Sequence, residues 1–270
     1  MNKSHKSWLR TFASALVTLL AIPLLRATVV HTRVEVTSLP HSISPISEDV
    51  TLLYDGALNT GLPNAQGFVY LTNPLSGAQA TQVFTTPVTV LDTTPQMSDY
   101  AGYFAKPTLY PPLDRTTGYQ VLFTVQIMTE THVSNDRAGF SLLVVSSDKQ
   151  GIELGFWGNE VWAQEGGMSQ PFTHAEGATY TTTVDLIEYQ LRVLGNSYTL
   201  IANGQTVLSG PLRDYTLAPP PPLPVNPYTT PNLIFLGDDT SSAQARIRFR
   251  YAAVSNTPTF NIYLPLTYKS

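Results

Sequence analysis

Glu153, Trp157, Glu160, Trp162 and Gln164 lie close together in the chain, and the alternation of a predicted hairpin puts all five on one face. Two chemistries suit such a set. Indole rings rimmed by carboxylates and an amide fit a sugar, which offers apolar C–H faces to stack and hydroxyls to hydrogen-bond. Two glutamates that meet across a cleft, about 5–5.5 Å apart for a retaining mechanism, could instead cleave a glycosidic bond. The plain alternative is packing, because large aromatics are mostly buried and both tryptophans can equally fill the core or a sheet edge.

Other constellations are excluded. The chain has no cysteine, so it has no disulfide framework, thiolate metal site or cysteine nucleophile. No G-x-S-x-G elbow supplies a serine nucleophile, and no phosphate-cradling loop is present. His174 lies near Glu176 in a glycine-containing loop with no partner serine, which reads as a loop-packing histidine. The remaining histidines, at positions 5, 31, 41 and 132, are scattered and lack zinc spacing.

The elements that must position these residues are strands. Tyr119, Val121, Phe123, Val125 and Ile127 alternate with Gln120, Leu122, Thr124 and Gln126, the pattern of a half-buried strand. Phe140, Leu142 and Val144 alternate with Ser141, Leu143 and Val145, so that strand is apolar on both faces and belongs mid-sheet. Ile152, Leu154 and Phe156, then a turn at Gly158-Asn159, then Val161 and Ala163 make the hairpin that carries the candidate face. Over residues 188–209, Gly195-Asn196 and Asn203-Gly204 separate alternating runs and predict a three-strand meander, with a type I′ turn at Asn-Gly. The last strand is predicted with Ile247, Phe249 and Tyr251 inward and Arg246, Arg248 and Arg250 outward. That arginine row is either a binding stripe or a solvated face paired with acids on a neighbouring strand. Pro219 to Pro222 and Pro224 break the pattern and require a stiff loop. Short strands, Asn/Gly turns and almost no helix predict an all-β, two-sheet antiparallel sandwich in jelly-roll order.

Composition and address agree with this. Only 13% of the 270 residues are charged, and the net charge is −4. Lys3, Lys6, Arg10 and Arg26 are the only charges in the first 26 residues, so without them the charge falls to −8. An acidic surface is a poor partner for nucleic acid. The basic start and the apolar run from Phe12 to Leu25 read as a signal helix. Ala27 is the nearest small residue and no clean cleavage site follows, so the segment is a signal peptide or an uncleaved signal anchor, the latter being the one membrane contact expected. The expected organisation is signal segment 1–27, tether or edge strand 28–50, sandwich 51–255 and tail 256–270, in an extracellular or cell-surface protein.

The stretch from Tyr189 to Gly204, with its Gly-Asn and Asn-Gly turns, resembles the centre of concanavalin A-like, laminin-G-like sandwiches. A finer resemblance is to the choice-of-anchor Y type of bacterial exported domain. It is carried by Leu53-Tyr54-Asp55-Gly56, Ala101-Gly102-Tyr103, Gly151 to Trp157, Phe172 to Gly177 and Phe235 to Thr240, in an order that spans roughly residues 52–254. The resemblance implies an extracellular domain with no established activity. Glucanases of this superfamily place Glu, Asp and Glu at nearly alternate positions on one strand. Here Gly155 and Trp157 follow Glu153, so the triad is missing. Laminin-G-like domains often hold calcium through loop oxygens, and Asp238 and Asp239 are the candidate ligands. An Asx turn explains the same pair. The resulting expectation is a non-catalytic, lectin-like surface module that binds an extracellular glycan or envelope component. The alternatives are a purely structural envelope domain and a glycoside hydrolase using Glu153 and Glu160.

Overall fold

The computed structural model describes residues 50–73, 77–166, 172–221, 223 and 225–256. The expected signal segment, all of the tether but Val50 and all of the tail but Asn256 lie outside the described residues.

The strands are β1 (Val50–Asp55), β2 (Phe68–Thr72), β3 (Thr81–Thr85), β4 (Val88–Asp92), β5 (Ala101–Ala105), β6 (Tyr119–His132), β7 (Ser141–Val145) and β8 (Gln150–Phe156). They continue as β9 (Glu160–Gln164), β10 (His174–Thr179), β11 (Ile187–Leu194), β12 (Ser197–Ala202), β13 (Gln205–Pro211), β14 (Arg213–Asp214), β15 (Leu233–Asp238) and β16 (Ala243–Ser255). Two eight-stranded antiparallel sheets face each other. One runs β13-β12-β11-β6-β16-β4-β3, with β1 also on β16; the other runs β10-β9-β8-β7-β15-β5-β2, with β14 on β8. Among the described residues the only helical elements are two short 3₁₀ turns, Gly56–Leu58 and Pro63–Ala65. No helix of the described residues is long and apolar enough to cross a membrane.

The inter-sheet core follows from the alternation. Tyr119, Val121, Phe123, Val125 and Ile127 of β6 meet Phe140, Leu142, Ile152, Leu154 and Phe156 from the opposite sheet. Phe123 packs edge-on to Phe156 and stacks on Tyr189 at 5.0 Å. The predicted meander is β11-β12-β13. Its Asn203-Gly204 turn has positive φ at both residues, 47° and 80°, as a type I′ turn requires; at the other turn Gly195 alone does, at 60°.

Two sequence expectations are corrected, and of the two readings of the arginine row the acid-paired one holds at Arg246. β6 is not half-buried: Gln120, Leu122 and Thr124, on its other face, are also buried. β16 carries a bulge between Phe249 and Tyr251, where Arg250 is the extra residue. The insertion shifts the alternation by one, so Ala252 and Val254 enter the core and Tyr251 leaves it half-exposed. The arginine row is a partnered face: Arg246 lies 3.6 Å from Asp92, its cross-strand neighbour, and Arg248 donates to Gln126.

The proline-rich segment forms a third layer. Sheet residues Phe104, Leu143, Val145, Leu233 and Phe235 point away from the core, and Tyr215, Ala218 and Tyr228 cover them. This explains why β7 is apolar on both faces. One face meets the opposing sheet and the other is roofed by the loop.

Candidate functional site

The β8–β9 hairpin forms as its alternation predicts, with Gly155 opposite Trp162 and Phe156 opposite Val161. Trp162 lies flat across Gly155, where a Cβ would sit only 2.7 Å from the indole. On its other side His174 stacks at 4.4 Å and 16°. Trp162 is therefore fully buried. Trp157 is stacked under His132 at 4.1 Å and 10°, and its Nε1 donates to the Arg137 carbonyl. The two indoles do meet, at 5.4 Å, but histidines cover them. The open aromatic platform expected for a sugar is absent from this face, because the ring stacking on Trp162 is the protein's own.

The polar members of the set separate. Glu160 bonds the His174 Nε2, while the His174 Nδ1 faces the Asn135 carbonyl. Gln164 is buried and donates to the Thr173 carbonyl. Glu153 is 1% exposed and lies beside Arg137. Glu160 is bonded opposite Trp157, four residues along β8 from Glu153, which is about 13 Å at the strand repeat. The paired-glutamate geometry of a glycoside hydrolase is not formed.

Asp238 and Asp239 diverge rather than converge on a cation. Asp238 accepts from the Thr93 hydroxyl at 2.7 Å and from the Thr240 amide at 3.1 Å, the latter an Asx turn. Burial pushes its pKa well above the usual carboxylate range, against these hydrogen bonds. Asp239 receives the Arg137 Nη2 at 2.7 Å on Oδ1 and the Tyr228 hydroxyl at 2.9 Å on Oδ2. A guanidinium thus occupies the position a cation would take. Among the described residues no group of three or more acids and histidines could hold a metal. These donors do not fit calcium.

What the structure does assemble is a pocket of about 290 Å³ above Arg137. Its walls are Tyr100, Phe172 and Tyr228 with Pro219 to Pro221, and Thr240, Ser241 and Ser242 line its polar side. Arg137 comes from the loop between β6 and β7, Tyr228 from the roof, and Asp239 from the end of β15. The Arg137 guanidinium lies 4.5 Å from the Phe172 ring centre, a cation–π contact that fixes both.

Behind the pocket a single guanidinium lies between two buried carboxyls. Arg137 Nη1 is 3.4 Å from Glu153 Oε1, while Nη2 is committed to Asp239. Glu153 Oε2 is buried with no hydrogen-bond partner. Burial, and next the negative Asp239, push the Glu153 pKa up to about 8, with Arg137 opposing. Burial alone would lower the Arg137 pKa, but Asp239, Tyr228 and Glu153 together hold it well above its ordinary value. One guanidinium faces two carboxyls, and burial pushes Glu153 toward its protonated form.

Arg137, Tyr228 and Tyr100 do not stand out in the sequence, and Phe172 stands out only as the start of a resemblance motif, with no role in a site. They come from four distant segments, and each reads locally as loop. The usable signals were Asp239 and the tyrosine within the proline-rich run.

No family model matches the chain, and no curated protein does, so the finer choice-of-anchor Y resemblance rests on its motifs alone. Among solved structures, the conserved carbohydrate esterase vb_24B_21 from the Shiga toxin-encoding bacteriophage phi24B superposes with a TM-score of 0.51 at 12% identity, over 77% of this chain and 99% of that one. The carbohydrate recognition domain of Emp46p gives 0.46 at 10% identity, over 77% and 98%. A Bacillus subtilis protein of unknown function with a galectin-like fold gives 0.46 at 9%, over 77% and 97%. At such identities the esterase superposition shows a shared fold and nothing finer: this chain is a two-sheet antiparallel β-sandwich.

Proposed function

We propose that this protein is a non-catalytic, lectin-like surface module, exported by its N-terminal segment, that binds an extracellular glycan or envelope component in the pocket above Arg137. The observation that carries the reading is the lining of that pocket. Aromatic and proline walls suit the C–H face of a sugar ring, and three hydroxyl residues with a fixed ion pair suit its hydroxyls. The volume lies at the small end of the range for ligand pockets, about 300–1,000 Å³, and suits one ring. The hairpin residues act behind the pocket: Glu153 faces the Arg137 guanidinium and Trp157 holds the Arg137 carbonyl. No calcium is required in this reading.

The buried tryptophans favour a second reading, a purely structural envelope domain. One experiment separates the two. The purified protein is passed over a panel of polysaccharides and cell-wall glycans, with and without calcium. Retention on at least one glycan is expected, and Tyr100→Ala, at a half-exposed wall position, is expected to abolish it. No retention on any glycan under either condition removes the lectin reading and leaves the structural one.

A further inference from the structure

An arginine in the wall of a sugar pocket is the usual means of holding a carboxylated sugar, since a guanidinium pairs a carboxylate through two parallel hydrogen bonds. Arg137 is placed for this and is disarmed. Its Nη2 is 2.7 Å from Asp239 Oδ1, and its Nη1, 3.4 Å from Glu153 Oε1, is buried and makes no hydrogen bond. The flat face of the guanidinium is covered by Phe172. Asp239 is held in turn from its second oxygen by the Tyr228 hydroxyl. Arg137 and Asp239 are both at least nine-tenths buried, so water does little to screen them.

The charges near the pocket can be summed. Arg137 contributes one positive charge, Asp239 cancels it, and Glu153 is either neutral or negative. The sum is never positive. Among the described residues no lysine, histidine or second arginine lines the pocket. An incoming carboxylate would lose its hydration and meet a neutral or negative floor, a mismatch that costs affinity. An uncharged ring meets no such penalty.

We propose that the pocket admits uncharged sugars and refuses carboxylated ones, and that Asp239, by occupying Arg137, is the residue that sets this preference. The inference rests on the glycan-binding reading given above and names the ligand class of the same site. It assigns Arg137 to positioning Phe172 and Asp239 rather than to anchoring ligand charge.

Matched pairs that differ only at C6 test it: methyl glucoside against methyl glucuronide, and methyl galactoside against methyl galacturonide, titrated into the full chain at neutral pH by ligand-observed NMR. The neutral member of a pair is expected to bind about tenfold or more tightly than its acid. The Asp239→Asn/Glu153→Gln double variant leaves Arg137 without a counter-charge and is expected to narrow or reverse that ratio. The single Asp239→Asn variant, which keeps the shape and the Glu153 carboxyl, should move it part of the way if the double variant does not fold. Equal or tighter binding of the acid by the native protein overturns the ligand class while leaving the glycan reading intact. An unchanged ratio in the folded variants overturns the role of Asp239. No binding of any member, together with no retention on the glycan panel, takes down the underlying reading and this inference with it.

Discussion

Glu153 shows how a residue of the right type can be in the wrong environment for its obvious use. On a strand beside tryptophans it reads as a sugar ligand or a catalytic acid. In the fold it faces Arg137 from behind the pocket, with one oxygen unpaired. Its pKa is raised from the ordinary glutamate value to about 8, chiefly by burial. A raised folded-state pKa means that the native state binds the proton more tightly than the unfolded chain. The stabilisation is then fully present below the unfolded pKa and is lost as pH rises through the folded one. Asp238 is shifted in the same direction by burial and adds to the slope. Urea unfolding of the native protein is expected to show a loss of stability on the order of a few kcal/mol between pH 5 and about 8. Glu153→Gln, which cannot ionise, is expected to flatten part of that slope and to be the more stable protein at the alkaline end. A native protein equally stable at both pH values would contradict the buried proton.

Strands and turns were legible in the sequence because each is decided locally. The alternation of β6, β7 and β11, the Asn203-Gly204 turn and the β8–β9 hairpin all follow from side-chain period and backbone φ. What escaped was decided by partners distant in the chain. The bulge at Arg250 shifts the inward set of β16 by one residue, and no local cue marks it. Trp162 is covered by His174, and Gly155 beneath it looks like an ordinary strand glycine until the register is known. The roof was visible as a proline-rich break, but the face it covers was not. That layer carries its own prediction. Replacing residues 215–228, which carry Tyr215, Ala218 and Tyr228, with a flexible linker is expected to uncover Leu143, Val145 and Phe235, all fully buried at present. Each large apolar side chain so exposed forfeits roughly 1.5–3 kcal/mol. A lower urea midpoint and new binding of a hydrophobic dye would report it, whereas an unchanged midpoint would mean that the roof is dispensable.

For the molecule as a whole, the fold class was readable and the site was not. Forming the sandwich needs only alternation, turns and enough apolar residues, which are spread along the whole chain. Forming the pocket needs Tyr100, Arg137, Phe172 and Tyr228 to converge from segments that share no pattern. The same contrast applies to calcium. Two adjacent aspartates look like ligands in one dimension, but the fold sends one to Thr93 and the other to Arg137. Stability should therefore be independent of the ion. Thermal midpoints in millimolar calcium and in chelator are expected to agree within about a degree, because a ligand bound to the native state would raise the midpoint by mass action. A shift of several degrees would reveal a calcium site elsewhere.

The pairing of β1 with β16 sets the mechanics of the domain. Val50, at the start of β1, lies opposite Ser255, at the end of β16. Both ends of the sandwich therefore leave it side by side. A load applied between them runs along the hydrogen bonds of that pair and acts on them one after another, as in opening a zip. A load that pulls two strands past each other along their length would instead meet all of those bonds at once. Such a sandwich is compliant when pulled by its own two ends, and it resists force better when anchored at one end and gripped elsewhere.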